Sequence, residues 1–484
     1  MPDAAPHPAV QRCFPLWERC GGVIACDCPR GRLTARGSVF WHILATARDE
    51  ERTMVEEYVT AIPKKSEDFS EWYVQIVRRA ELADYTPVKG CMVYRPYGYA
   101  IWELIQAALD RRLKATGHQN AYFPLFIPES FLAKEAEHVK GFAPEVAWVT
   151  QGGGEELEER LAIRPTSEAI IMHMYAKWVR SYRDLPILIN LWNNVVRWEK
   201  VTRLFLRTTE FLWQEGHTVH RTSEDAMEET LRIAEIYRDL VENELAIPVY
   251  IGQKSEQEKF AGAQATFALE ALMPDGKALQ AGTTHFFGQN FAKAFEIKYL
   301  DSDGEQKYAW STSWGVSTRL IGGLIMVHGD DAGLVLPPRV APIQVVVVPI
   351  FYGNEQEEVI RKAHELAQTL VNAGLRVKVD DRDEYTPGWK FSEWELRGAP
   401  LRLELGPRDL AASSAILVRR DNRKKEKVGW DALVSRIPVA LEEIQSSLFQ
   451  RAKEFLTANT RRTTDYAQFQ KVMEEQRGFL LSPW

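Results

Sequence analysis

The sequence predicts an α/β protein whose first and larger part is an α+β core, with a mixed, mainly antiparallel sheet flanked by helices. A small α/β domain follows it. Three observations carry this. Strand-like stretches between residues 121 and 316 alternate with inserted helical ones. A proline-rich linker interrupts the chain at 334–342. Beyond it, 343–348 is a β-branched run broken only by Gln344, the pattern of a strand buried on both faces. A chain of 484 residues exceeds one core, so two or three domains are expected.

In the first part, residues 54–88 read as helical, and Ile101, Leu104, Ile105, Ala108 and Leu109 mark a helix with one apolar face that ends near Gly117. A strand is expected at 121–127, interrupted by Pro124. Further strands fit 187–196, 211–213 and 308–316, with helices at 224–245 and 318–328. In the second part, Val359, Ala363, Leu366, Ala367 and Leu370 keep helical spacing, and Gly374 can stop that helix. Then come a strand at 375–379, a helix at 387–397 and an alternating strand at 401–405. Helical spacing returns at Leu441, Ile444, Leu448, Phe455 and Leu456. The expected domains are 54–338, 339–445 and a further segment at 446–484.

Residues 1–53 differ in style. They hold no lysine and four of the five cysteines, Cys13, Cys20, Cys26 and Cys28. They read as a leader of uncertain status, possibly a start upstream of the native one. Asp3, Glu18 and Asp27 are wrong for a targeting peptide, and no long apolar segment is present. The spacing is not that of paired CxxC ligands, so no zinc is assigned there. With Cys91 its one thiol, the body of the chain suits a reducing cytosol rather than disulfides. Hydrophobic content of 45% and charged content of 26% are those of a globular protein, and no apolar run reaches a membrane-spanning length. A net charge of −7 argues against a generally basic nucleic-acid coat, though not against a local RNA-binding face.

Two clusters carry chemistry. The first is Arg197-Trp-Glu199, followed by Arg207, Phe211 and Glu215. Activating a carboxylic acid with ATP needs a cation at the α-phosphate, where charge develops, and a guanidinium such as Arg197 can bridge phosphate and carboxylate oxygens. Glu199 lies two residues on, on the same strand face, and can read an adenine amino group. Arg207 can hold the outer phosphates, and Phe211 offers a ring for stacking. The second cluster is Ser313-Trp-Gly-Val-Ser-Thr-Arg319, leading into a helix. A cation at a helix N-terminus opposes the dipole and makes sense beside a polyphosphate. Either residue pair of the first cluster alone reads sooner as a surface-charged hairpin with one core aromatic, and the second cluster alone reads equally as an ordinary salt-bridged arginine.

Together they resemble the second and third signature motifs of class II aminoacyl-tRNA synthetases, and the helix around Ile101 with Gly117 and Pro124 resembles the first, which builds the dimer interface in that family. Neither class I signature occurs. Four segments, 89–103, 164–170, 211–217 and 280–291, resemble prolyl-tRNA synthetases of the archaeal/eukaryotic-type branch, and the likeness covers roughly residues 54–480. The resemblance implies a proline pocket from Thr166, Glu168, Arg197, Trp213, His285 and Ser317, with Phe291 beside the ring. It implies an ATP site from Arg197, Glu199, Arg207, Thr208, Phe211, Gln280, Thr283 and Arg319, with Arg197 and Arg319 catalytic. Glu168 can pair with proline's secondary ammonium. Magnesium is expected with ATP, without assigned ligands, and tRNA(Pro) is the expected acceptor.

Two departures stand out. The bacterial-type branch carries a hydrolytic insertion between motifs 2 and 3, and residues 216–279 are too short a stretch for it. The archaeal/eukaryotic branch ends in a zinc-bearing domain, yet no cysteine lies beyond Cys91. The expectation is either a chain cut short at residue 484 or a domain truly missing, and no zinc is assigned. Residues 343–445 resemble the class IIa anticodon-binding domain. Arg382, Lys390, Glu393, Arg397 and Glu404 are the expected readers of unstacked bases. A basic cluster from Arg419 to Lys427 reads either as a phosphate contact or as a polar hairpin turn.

Overall fold

The computed structural model describes residues 62–138, 146–351, 356–475 and 477–483. The leader, its cysteines and the expected core start at Met54 lie outside them.

The first domain is built on seven strands: β1 (Gln119–Asn120), β2 (Ile187–Val196), β3 (Glu210–His220), β4 (Val249–Gln253), β5 (Ala265–Leu272), β6 (Ala278–Gly288) and β7 (Trp310–Ser317), in the spatial order β1-β2-β3-β7-β6-β5-β4. Every pairing is antiparallel except β1 with β2. Residues 216–279 supply the end of β3, the helix Ser223–Asp239, β4, β5 and the start of β6, so this stretch is consumed by the sheet and the helix that packs on it.

Helices cover the sheet. The helical reading of 54–88 shrinks to α1 (Phe69–Arg79), started by the Asp68 carboxylate, which accepts from the amides of Ser70 and Glu71. The chain then turns back as a hairpin, Ala83–Tyr85 against Met92–Tyr94. α2 (Pro96–Ala115) has proline in its first turn, where no amide partner is lost, and stops before Gly117 at φ +91°. α3 (Glu168–Trp178) and α4 (Ser223–Asp239) follow; α4 continues as a π-turn at Leu240–Glu244, which completes the helix expected at 224–245. α5 (Arg319–His328) closes the domain.

Some expected strands move. The one placed at 121–127 does not form as one strand: Gln119–Asn120, just before it, joins the main sheet, residues 121–124 are in no strand, and Phe126–Pro128 pairs with Glu155–Ile163 in a separate three-stranded sheet. The strand placed at 211–213 is the eleven-residue β3. Its three-residue signal was the visible end of a strand whose remaining residues are buried and polar.

The register of β3 against β7 is held by Gly216, which faces Trp314. A Cβ on Gly216 would lie 2.0 Å from the indole. Odd-numbered residues of β3 and β7 therefore share one face, and Trp314 packs on the other against Tyr237 of α4.

In the second domain, β8 (Val345–Pro349), β9 (Val377–Val379), β10 (Leu401–Leu405), β11 (Ser414–Arg419) and β12 (Lys425–Gly429) pair in the order β9-β8-β10-β11-β12. β8 is parallel to both neighbours. α6 (Gln356–Asn372), α7 (Pro387–Leu396) and α8 (Trp430–Ala458) pack on this sheet. β10 was expected to alternate, but all five of its residues are buried. Arg402 and Glu404 satisfy each other there at 2.9 Å. The single helix α8 crosses residue 445, the position given as a domain end.

The linker at 334–342 is packed rather than free: Leu334, Val335 and Leu336 are buried, and the Leu334 amide donates to Leu396 O at 2.9 Å. Beside it, the Arg420 guanidinium of the second domain is almost fully buried and donates to both carboxylate oxygens of Asp330, at 2.6 and 2.8 Å. Burial would raise the Asp330 carboxyl, but the Arg420 hydrogen bonds and charge outweigh it and hold the group below its ordinary value.

This junction gives a stability prediction. Asp330→Ala leaves a buried cation without its acceptor and should cost about 2 kcal/mol, a moderate figure because the carboxylate itself keeps contact with water. The contribution of a depressed carboxyl is present above its unfolded value and lost as pH falls through the folded one. Urea titrations should therefore show a large difference between wild type and variant at neutral pH that closes below about pH 4. A difference independent of pH would contradict the ion-pair origin.

Candidate active site

The cleft opens on the face of the sheet that carries the odd-numbered residues of β3 and β7. Phe211, Trp213, Glu215 and His217 of β3, Ser313, Gly315 and Ser317 of β7, and Thr283 and His285 of β6 all line it. Pairing sets their neighbours: Ser317 lies opposite Trp213, His217 opposite Ser313, and His285 also opposite Ser313 from the far side. Thr166 and Glu168 reach in from the start of α3, and Arg319 from the start of α5.

One end of the cleft is acidic. A carboxylate oxygen of Glu168, one of Glu215 and an imidazole nitrogen of His217 lie within 4.8 Å of one another, and all three side chains are buried. Thr166 Oγ1 donates to Glu168. Glu215 is held by His217 Nε2 at 3.0 Å, Asn193 Nδ2 at 2.8 Å, the Ser167 amide at 3.2 Å and the Ser167 hydroxyl. Trp213 is fixed by its Nε1–H, which donates to Asn193 Oδ1 at 2.6 Å. His285 bonds Thr266 through Nδ1 at 3.0 Å and packs against Phe260 with ring centroids 4.6 Å apart.

The other end is basic. Arg197 lies over the rings of Phe211 and Trp213, 5.5 and 5.3 Å from their centroids, and its Nε–H donates to Pro165 O at 3.0 Å. Arg319 donates from Nε to Leu206 O at 3.0 Å. Its charge is disfavoured first by burial, then by the neighbouring charges of Arg197 and Arg207. Three guanidinium groups that oppose one another's charge form a field that a polyphosphate neutralises.

Of the residues expected at the proline site, Thr166, Glu168, Arg197, Trp213, His285 and Ser317 line this one cleft, and Phe291 does not. Phe291 is fully buried behind it, its ring 4.3 Å from that of Phe287, because α-helical residues 290–295 turn that side chain into the core. Phe260 is the aromatic that lines the cleft in its place. Of those expected around ATP, Arg197, Phe211, Gln280, Thr283 and Arg319 line the cleft. Glu199 and Arg207 lie outside this lining and pair with each other at 2.8 Å. Thr208 is buried, and its hydroxyl is spent on Glu210 O at 2.7 Å.

Sequence reasoning left Glu215 and His217 without a role and missed Lys254, Glu258, Phe260 and Thr266. The first two were within reach, since they continue the alternation that starts at Phe211. Lys254, Glu258 and Phe260 sit in the loop after β4, which has no periodic signal.

The expected base readers of the second domain sit in an ion-pair network. Arg382 pairs with Asp380 at 2.7 Å and with Glu393, and lies over Tyr385 and Trp389, whose rings stack 3.8 Å apart. Arg397 is bound to Glu393 and, across the junction, to Glu81. Lys390 is a correction: it is buried and donates to Asp380 O at 3.1 Å, so its ammonium faces the domain interior. Glu404 is likewise buried, between Arg402 and Lys425. In the basic cluster, Arg420 and Arg419 serve ion pairs, and the exposed cations are Arg423 and Lys424 on the β11–β12 turn and Lys425 and Lys427 on β12.

An antiparallel sheet presenting paired arginines to a buried acidic end, followed by a small α/β domain, is the arrangement of a class II aminoacyl-tRNA synthetase. Residues 148–328 match the tRNA synthetase class II core domain (G, H, P, S and T), and residues 344–439 match the anticodon binding domain. Within that class the chain belongs to the proline–tRNA ligase family. It is 58% identical over 429 residues to the proline–tRNA ligase of Natranaerobius thermophilus, covering 89% of each chain. It is 61% identical over 411 residues to that of Symbiobacterium thermophilum, covering 85% of this chain and 83% of the relative. It is 59% identical over 428 residues to that of Rubrobacter xylanophilus, covering 88% and 90%.

Burial holds the His285 imidazole down at about 3, assisted by the charges of His217, Lys254 and Arg197. It should stay neutral throughout the working range. Nuclear magnetic resonance of the ring should show no titration of His285 between about pH 5 and 8, whereas a midpoint near the ordinary value of about 6.5 would contradict its placement.

Proposed function

We propose that this chain joins L-proline to tRNA(Pro) in two steps, activating the amino acid with ATP and then transferring it to the 3′ end of the tRNA. The observation that carries the reading is the polarity of the cleft. Its acidic end offers Glu168 to a cation, its middle offers Trp213 and Phe260 to a compact apolar ring, and its basic end offers Arg197 and Arg319 to phosphate. Proline presents those three features in that order once its carboxylate is placed at the α-phosphate.

In the first step a proline carboxylate oxygen attacks the α-phosphorus and pyrophosphate leaves. The nucleophile is already an anion, so no general base is required. Arg197 bridges the reacting carboxylate and α-phosphate, and Arg319 meets the charge that builds on the leaving phosphates. Arg207, anchored by Glu199, stands where outer phosphates emerge. In the second step the terminal ribose hydroxyl attacks the acyl carbon and AMP leaves. Magnesium accompanies ATP in this reading and offsets phosphate charge when bound. Glu258 in the cleft lining and Glu270, in the field of Arg319 and Lys254, are oxygen donors of the kind it takes.

Residues 54–338 form the catalytic part of this proposal and 339–445 the tRNA-anticodon part, where Arg382 with Tyr385 and Trp389 offers a stacked platform. A homodimer built on the α2 region and a cytoplasmic location complete it. Among the described residues, no helix is long and apolar enough to cross a membrane.

Proline alone of the amino acids should drive ATP–pyrophosphate exchange at full rate. Exchange driven better by threonine, glycine or histidine would overturn the proline reading. Arg197→Ala should lower the exchange rate at least about a hundredfold in a folded protein, from the loss of roughly 3 kcal/mol of transition-state stabilisation. Every residue assigned to the small substrates lies between 166 and 319, so calorimetric titration with a prolyl-adenylate analogue should give one affinity with and without chelator. A zinc requirement for binding would contradict this.

A further inference from the structure

The acidic end of the cleft holds two buried carboxylates and one buried imidazole, a combination the reaction as described leaves unexplained. Glu168 is the group that can meet proline's ammonium. Glu215, close beside it, is saturated by donors: Ser167 N, the Ser167 hydroxyl, Asn193 Nδ2 and His217 Nε2. Two carboxylates this close cannot both stay ionised in a buried site unless a positive charge stands with them. Otherwise one takes a proton, and Glu168, which has fewer hydrogen-bond donors, is the one that would. Apart from Thr166 Oγ1, no side chain among the described residues donates a hydrogen bond to Glu168.

We propose that His217 is a positioning residue for proline selection: as an imidazolium it cancels the charge of Glu215 and so keeps Glu168 free as the one carboxylate available to the substrate's secondary ammonium. The proposal deepens the proline reading and rests on it. Geometry fixes the pairing. His217 Nε2 is 3.0 Å from Glu215 Oε2, its ring is fully buried, and its backbone carbonyl is anchored by the Tyr175 hydroxyl at 2.8 Å.

The surroundings agree. Burial would strip the imidazole of its proton, but the Glu215 hydrogen bond and the two carboxylate charges outweigh it and hold His217 above the usual histidine range. Burial raises Glu168, the His217 charge opposes that rise, and the Glu215 charge adds to it. Burial also raises Glu215, but the His217 bond and charge, with Asn193 and Ser167, bring it below its ordinary value. The other charged groups facing this cluster are Arg197, in the field of Glu168 first and Glu215 second, and Arg164 near Glu215, with Lys254 and the neutral His285 across the cleft. Arg197 stands in the field of both carboxylates, but its one hydrogen bond here goes to Pro165 O; His217 is the ring bonded directly to Glu215.

The first test uses the unaltered full chain. Nitrogen-15 resonances of the His217 ring should show both nitrogens protonated at about pH 7.5 without substrate; a neutral tautomer there overturns the proposal whatever the enzyme's activity. The second uses variants and reads proline and ATP separately. His217→Gln removes the charge and keeps a donor. It should raise the KM for proline about tenfold on the acidic limb, and far less above it, with little change in the KM for ATP. It should also shift the acidic limb of kcat/KM for proline upward by about one pH unit, because Glu168 then holds its proton longer. Adding Glu215→Gln to it removes the second charge and should return the KM for proline most of the way to wild type. An unshifted limb, or a double variant worse than the single one, would show that His217 acts by packing alone and overturn the proposal. Failure of proline to drive exchange in the wild type would instead defeat the proline reading while leaving the His217 protonation result standing.

Discussion

An indole laid across a glycine fixes the catalytic sheet. Trp314 of β7 stands opposite Gly216 of β3, and any side chain at 216 would collide with it. Strand register matters doubly here, since a slip of one residue sends every side chain to the other face. In the observed register the even-numbered face packs Trp314 against Tyr237 and His118, with ring centroids 6.4 and 5.1 Å away. The odd-numbered face is then free for Trp213, Glu215, His217 and Ser317. The site therefore exists because the back of the sheet can pack in one way only.

Having set aside a face for chemistry, the fold must satisfy many buried polar groups on it. Unpaired, such groups cost several kcal/mol each. The chain answers with short-range networks. Asn193 serves both Trp213 and Glu215, and Ser167 serves Glu215 twice. Rigid acceptors and donors are thereby in place before substrate arrives, which is the condition under which electrostatic catalysis is strong. The basic end works differently: Arg197 and Arg319 are anchored by backbone carbonyls, Pro165 O and Leu206 O, rather than by a carboxylate, while Arg207 pairs with Glu199.

Much of this was legible in the chain and part was not, for physical reasons. The α/β class, the mainly antiparallel sheet and the second domain followed from periodicity and from the proline-rich linker at 334–342. Arg197 and Arg319 declared themselves because cations at such positions lack a local reason. Phe291 misled because an aromatic within a site motif reads as a lining group, whereas a helix of six residues turns it inward. Lys390 misled because a lysine on a helix next to acids reads as exposed; its neighbours Asp380 and Arg382 instead close over it. β10 broke its alternation because helices cover both of its faces and the Arg402–Glu404 pair makes burial tolerable. Loop residues such as Lys254 and Phe260 carried no pattern at all, and only the closing of the sheet brings them to the cleft.

The central claim is that a proline carboxylate oxygen, held by Arg197, becomes bonded to the α-phosphorus of ATP. Oxygen-18 in the proline carboxylate reads that bond directly. After aminoacylation of tRNA, mass spectrometry of the released AMP should find it carrying one heavy oxygen, because the acyl carbon–oxygen bond is the one broken in transfer. Unlabelled AMP, with the heavy oxygen in the pyrophosphate or kept wholly in the aminoacyl ester, would contradict the account.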